Sequence, residues 1–186
     1  MTEKQPWDSI EPPLAGDEVA AMLGSLDRMR GTFAWKCWDL DAESMQTTVG
    51  VSAMTMGGLL KHLALVEDHK FSQTLGGHVG DDIWRSGDWD SDPDWEWHSA
   101  ADDAPEELYA LWLGAVERSR AVMRQVLASG GLDQRVSGVT DEEGRSPNLR
   151  RWIMDAIEEY SRHTGHADLI REAIDGRVGE DPPQEQ

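Results

Sequence analysis

Glu159 and His163 stand four residues apart in the stretch DAIEEYSRHTGHADLIREAIDG, Asp155 to Gly176. In a helix that spacing stacks both side chains on one edge, one turn apart. A carboxylate and an imidazole so placed can share a metal ion or simply pair with each other. His166, three positions beyond His163, could take the place of Glu159 as partner donor. Glu158 lies about 140° around the helix from His163 and should face elsewhere. A further histidine, His62, is embedded in the apolar stripe Leu59, Leu63 and Val66 of MGGLLKHLALVEDHKFS. Donors on facing helices that project inward are what a helical metal site requires. Two imidazoles and a carboxylate suit zinc, nickel or iron better than calcium or magnesium, and three protein ligands leave a position for water or substrate. His69 follows His62 by two turns, about 10 Å along the axis, which favours a pocket role over joint coordination. His78 and His98 have no partner spacing.

The elements that must position these residues are helices. Four segments carry helical periodicity and none sustains the alternation of a strand, so the fold class is all-α. The first runs from about Asp17, a plausible N-cap, to Trp38, with apolar residues at Val19, Met22, Leu23, Leu26, Met29 and Phe33. The second starts near Thr55 and reaches Leu75. The third opens at Pro105, followed by Glu106 and Glu107 at the positive end of the helix dipole, and stops at Ser129-Gly130-Gly131. For the fourth, Ser146 can cap and Pro147 can begin a helix that ends near Gly176. Four amphipathic helices of this length make a bundle.

Between the second and third helices, residues 76–103 hold four of the nine tryptophans among many aspartates. A link this long is expected to be functional or locally ordered. Trp84, Trp89, Trp95 and Trp97 can fold over one end of the bundle as a lid or pocket wall, or they can anchor a crossover or a dimer contact. Residues 1–178 read as a single domain and 179–186 as a disordered tail.

A formal net charge of −19 disfavours a surface that tracks nucleic-acid phosphates or acidic membranes. The one cysteine, Cys37, excludes an intrachain disulfide and a cysteine zinc cluster; between Trp35 and Trp38 it reads as a packing residue. The N-terminus lacks the apolar core of a signal peptide, and no run approaches the roughly 20 apolar residues of a membrane span. A cytoplasmic location is expected.

Taken together, MGGLLKHLALVEDHKFS, DWDSDPDWEWHSAADDAPEELYALW and EEYSRHTGHADLIREAIDG resemble the DinB/YfiT-like superfamily, in its mycothiol transferase branch. The likeness extends from about Glu11 to Val178. It implies a four-helix bundle with a long crossover between helices 2 and 3. It also implies a metal triad of one histidine on the second helix and a histidine pair on the fourth. His62 and His163 match the first and last positions. Glu159 falls on the middle one, as in the similar mycothiol-dependent maleylpyruvate isomerases. The resemblance therefore favours His62, Glu159 and His163 as ligands, with His166 lining the site.

On this reading a divalent metal, zinc before nickel or iron, activates the thiol of mycothiol or a similar cosubstrate for transfer to an electrophile or for an isomerisation. His69, Tyr160 and His166 are candidates for orienting substrate or moving protons, and Trp95 and Trp97 for contacting the cosubstrate. Two bundles could pair as a homodimer. One alternative is a metallohydrolase using metal-bound water, with Glu67 or His166 as general base. Another is a metal-binding bundle without catalysis.

Overall fold

The computed structural model describes residues 11–181, and among them every regular element is helical. Four long helices dominate: α1 (Glu18–Cys37), α3 (Met56–Glu67), α6 (Pro105–Gly130) and α7 (Leu149–Asp175), with a short α2 (Ala42–Met45) after the first. α1 packs along α7 and α3 along α6, while α3 also touches α7. Their shared core includes Phe33, Leu59, Leu63, Trp112, Ile153 and Tyr160. Phe33 meets Trp112 and Tyr160 edge-on, with centroids 5.4 and 6.3 Å apart, a geometry aromatic quadrupoles favour.

The helix starts follow local chemistry. Asp17 caps α1 by accepting from the Ala20 amide at 2.8 Å, and Thr55 caps α3 by accepting from Gly58 at 3.0 Å. The fourth long helix departs from the expected start at Ser146-Pro147. Val136 donates to the Pro147 carbonyl and Leu149 to Gln134, both at 2.9 Å, so this stretch is held extended in a small antiparallel bridge. Asn148 becomes the cap instead, accepting from Arg151 at 2.9 Å. At the other end Gly176 takes the left-handed conformation, φ 76°, that closes the helix.

The second long helix also departs from a regular form. After Glu67 it continues as a π-helix, Asp68–Leu75, whose wider turns bury Asp68 and leave His69 exposed. The following link is ordered. It contains α4 (Asp82–Ser86), α5 (Trp95–Ser99) and a 3-10 turn at Ala100–Asp102. Asp68 accepts from the Asp81 amide at 2.9 Å near its start, and Lys61 pairs with Asp103 at 2.5 Å near its end.

In the tail, Glu180 and Asp181 pair with Arg28; residues 182–186 of the expected disordered tail lie outside the described residues. No described helix is long and apolar enough to cross a membrane.

Candidate metal centre

His62 and Glu67 leave α3 five residues apart, and Glu159 and Tyr160 are neighbours on α7; these four side chains build two separate polar clusters. The inner cluster is closed. Arg30 of α1 grips both oxygens of Glu67, with Nε and Nη2 each at 2.7 Å, and the Tyr160 hydroxyl donates to Oε1 at 2.6 Å. Trp112 of α6 donates to Tyr160 at 2.9 Å. One residue of helical rotation thus turns Tyr160 away from the edge carrying Glu159 and into the core. Burial drives its phenol well above its ordinary pKa, reinforced by the Glu67 charge. The same bonds commit Glu67, the hydrolase reading's general-base candidate, to Arg30.

The outer cluster brings together the three expected ligands. His62 Nε2 lies 3.1 Å from Glu159 Oε1, and His163 Nε2 lies 3.3 Å from the same oxygen. One donor atom from each of His62, Glu159 and His163 falls within 4.8 Å of the others, so the three could hold a metal ion. A tetrahedral zinc ion with bonds of about 2.1 Å sets its ligand atoms about 3.4 Å apart, so both short separations fit the ion with little movement. Nitrogen and carboxylate oxygen are also the donor types zinc accepts. Among the described residues Glu159 forms no ion pair with lysine or arginine; its only pairs are with the two histidines.

Electrostatics divide the two imidazoles. Burial presses the His62 pKa down, but its hydrogen bonds to the Glu96 and Glu159 carboxylates outweigh it and leave the ring above its usual value. His163 falls to about 4, chiefly through burial and then through the nearby His62 charge. Glu159 is lowered: burial opposes ionisation, but the hydrogen bond from His62 and the histidine charges overcome it.

Each imidazole also has an outer partner. His163 Nδ1 is 3.3 Å from His166 Nδ1, which puts His166 behind a ligand and outside the triad itself. His62 Nδ1 is 3.1 Å from Oε1 of Glu96, a residue of α5 not anticipated from sequence. Glu96 sits inside an aperiodic, aspartate-rich link, where spacing carries no signal. Its flanking Trp95 and Trp97 were the sole local hint of burial.

The tryptophans divide as well. The Trp97 ring stacks on His62 with centroids 4.5 Å apart and lies 5.8 Å from His163. A side chain at Gly58, one turn before His62, would meet the Trp97 ring at 2.8 Å, so glycine there makes the stack accessible. Trp97 also borders a cleft of about 420 Å³ with Gln46, Thr55, Asp94 and His98. Trp95 instead stands over Lys61 Nζ at 4.6 Å and against Trp89 at 5.3 Å. Trp84 is buried in the core.

The remaining candidates lie apart from the triad. His69 is exposed, His98 is exposed and bonded to Asp92 at 2.8 Å, and Glu158 pairs with Arg162 at 3.6 Å on the outer face. Cys37 is buried with its thiol pushed well above the ordinary value by burial, its sulfur 3.3 Å from that of Met56.

Comparison with known proteins bears on this geometry. Residues 21–176 match the family model described as mycothiol-S-transferase. The chain belongs to that family. No curated protein matches it significantly. The match spans α3, the tryptophan-bearing link and α7, so all three triad residues and both outer partners fall inside it.

Proposed function

We propose that this chain is a DinB-type four-helix bundle that transfers a low-molecular-weight thiol, mycothiol or a close analogue, to an electrophile at a divalent metal centre. The observation that carries the reading is the convergence of His62, Glu159 and His163, whose ligand atoms lie within 4.8 Å of one another, with Glu159 in no ion pair to lysine or arginine among the described residues. Such a set is costly to bury without a cation. Zinc suits the donors best. A metal held there lowers the pKa of a thiol, so that thiolate is present at neutral pH.

The chain's own residues supply position. His166 holds the Nδ1 side of His163, which leaves Nε2 free to coordinate. Trp97 gives the site an aromatic wall, and the cleft on which it also borders offers Gln46, Thr55, Asp94 and His98 among apolar neighbours as hydrogen-bonding groups for a hydrophilic thiol. The nucleophile is the cosubstrate's sulfur, since Cys37 is buried and held protonated. His69 receives no role because it is exposed, and Tyr160 none because its hydroxyl is committed to Glu67.

The test is the metal content of the purified protein, followed by thiol titration read by tryptophan fluorescence. Stoichiometric metal and a thiol-dependent change, both absent in His163→Ala, are expected. Metal without any thiol response would leave a binding protein in place of a transferase. Ester or amide hydrolysis without added thiol would replace it with a hydrolase.

A further inference from the structure

Glu96 is a carboxylate almost fully withdrawn from water on a five-residue helix, 6% exposed, and burial of that kind needs a reason. Its Oε1 meets His62 Nδ1 at 3.1 Å. Its Oε2 is buried and has no hydrogen-bond partner. Glu67, by contrast, is matched on both oxygens, by Arg30 and Tyr160. Glu96 is matched only through the histidine that faces the triad.

The opposite nitrogen of that histidine, Nε2, is the one directed at Glu159. An acceptor at Nδ1 places the proton there and leaves the Nε2 lone pair for a cation, while also fixing the plane of the ring. The surrounding contacts hold the acceptor in register. Lys61, the residue before His62, pairs with Asp103 at 2.5 Å and lies under the Trp95 ring, while Trp97 stacks on His62 over Gly58. Glu96 is thereby clamped between two tryptophans that both dock on the same turn of α3.

The geometry points to Glu96 as a positioning residue of the metal centre, a carboxylate delivered by the crossover link that orients His62 and sets its tautomer for metal binding. Ordering of the link and occupancy of the triad are then linked equilibria, each favouring the other. The inference rests on the metal centre proposed above and adds to it a residue that does not touch the metal.

Zn²⁺ affinity of the full chain, measured by competition with a chromophoric chelator, tests it. Glu96→Ala is expected to weaken Zn²⁺ binding about 10- to 100-fold, the usual cost of losing an outer partner. Glu96→Gln, whose amide oxygen can still accept from Nδ1–H, should lose less. Asp90→Asn, an exposed acid of the same link, should match wild type. A second readout follows the His62 Nδ1 proton by NMR of ¹⁵N-labelled protein, assigned by its loss in His62→Asn. That proton should be downfield and slow to exchange in wild type, and should move upfield in Glu96→Gln. If Glu96→Ala fails to fold, the Glu96→Gln proton shift and affinity decide. Wild-type affinity in Glu96→Ala, or an unmoved proton in Glu96→Gln, overturns the inference alone. Failure of the wild type to bind Zn²⁺ overturns the metal centre with it.

Discussion

The closed cluster around Glu67 and the open one around Glu159 use the same two helices, α3 and α7, to opposite ends. In the first, Arg30 brings a charge of the opposite sign and a fork of donors, Tyr160 fills a remaining lone pair, and Trp112 satisfies Tyr160. Nothing is left over for a ligand. In the second, His62, Glu159 and His163 bring one ligand atom each within 4.8 Å of the others, a set that could hold a metal ion. Burial alone therefore does not distinguish a functional acid from a structural one. The match between donors and acceptors does.

Breaking each cluster should separate stability from metal binding. The largest effect is expected for Glu67→Ala, which leaves Arg30 buried without its partner and should lower unfolding free energy by about 3–5 kcal/mol in urea titrations. Metal content of the folded fraction should be unchanged; a loss below about 1 kcal/mol would mean the cluster does not hold the helices together. His163→Ala should do the reverse, cutting Zn²⁺ affinity by more than about 100-fold, beyond the range typical for an outer partner, with little change in unfolding midpoint. Glu159→Ala should behave like His163→Ala, whereas His166→Ala should keep full stoichiometry at saturating Zn²⁺ and lose about tenfold in affinity. The reverse outcome for that pair would make His166 the ligand.

Smaller effects sharpen the contrast within the link. Trp97→Ala should keep its metal and weaken thiol binding about 2- to 10-fold, as expected for one aromatic contact, when titrated by calorimetry. Trp95→Ala, which loses the Lys61 contact, should lower the melting temperature and leave thiol affinity nearly intact. Equal thiol affinities in the two variants would remove Trp97 from the site. Glu158→Gln, on the exposed face, should change stability by no more than about 0.5 kcal/mol and metal affinity not at all.

Much of this was legible in the sequence because helical periodicity is a local signal. The stripe through Leu59 and Leu63 places His62 on an inward face, and the spacing of Glu159 and His163 puts them on one edge. Tyr160 adjoins Glu159 in sequence, and 100° of helical rotation carries it into the core, where its hydroxyl donates to Glu67. Other features depend on contacts distant in sequence. Arg30 and Glu67 come from different helices, and no pattern within either one announces their pairing. Glu96 lies in an aperiodic stretch, and Gly58 matters only through the ring packed on it. The widening at Asp68 that exposes His69 leaves no mark in the apolar pattern. The start of α7 is set by a bridge to residues 134–136, which overrode the reading of Ser146 and Pro147 as a cap and first turn.

The short helix Trp95–Ser99 has a consequence for engineering. Segments that join long helices are the natural cassettes for changing what an enzyme accepts, because the scaffold tolerates their exchange. In this chain the cassette between α3 and α6 is not separable from the scaffold: it carries Glu96 against His62 and Trp97 over Gly58. A transplanted link would import its own acceptor for that histidine or deprive it of one. Libraries built here should hold residues 95–97 constant and vary the exposed aspartate-rich stretch before them.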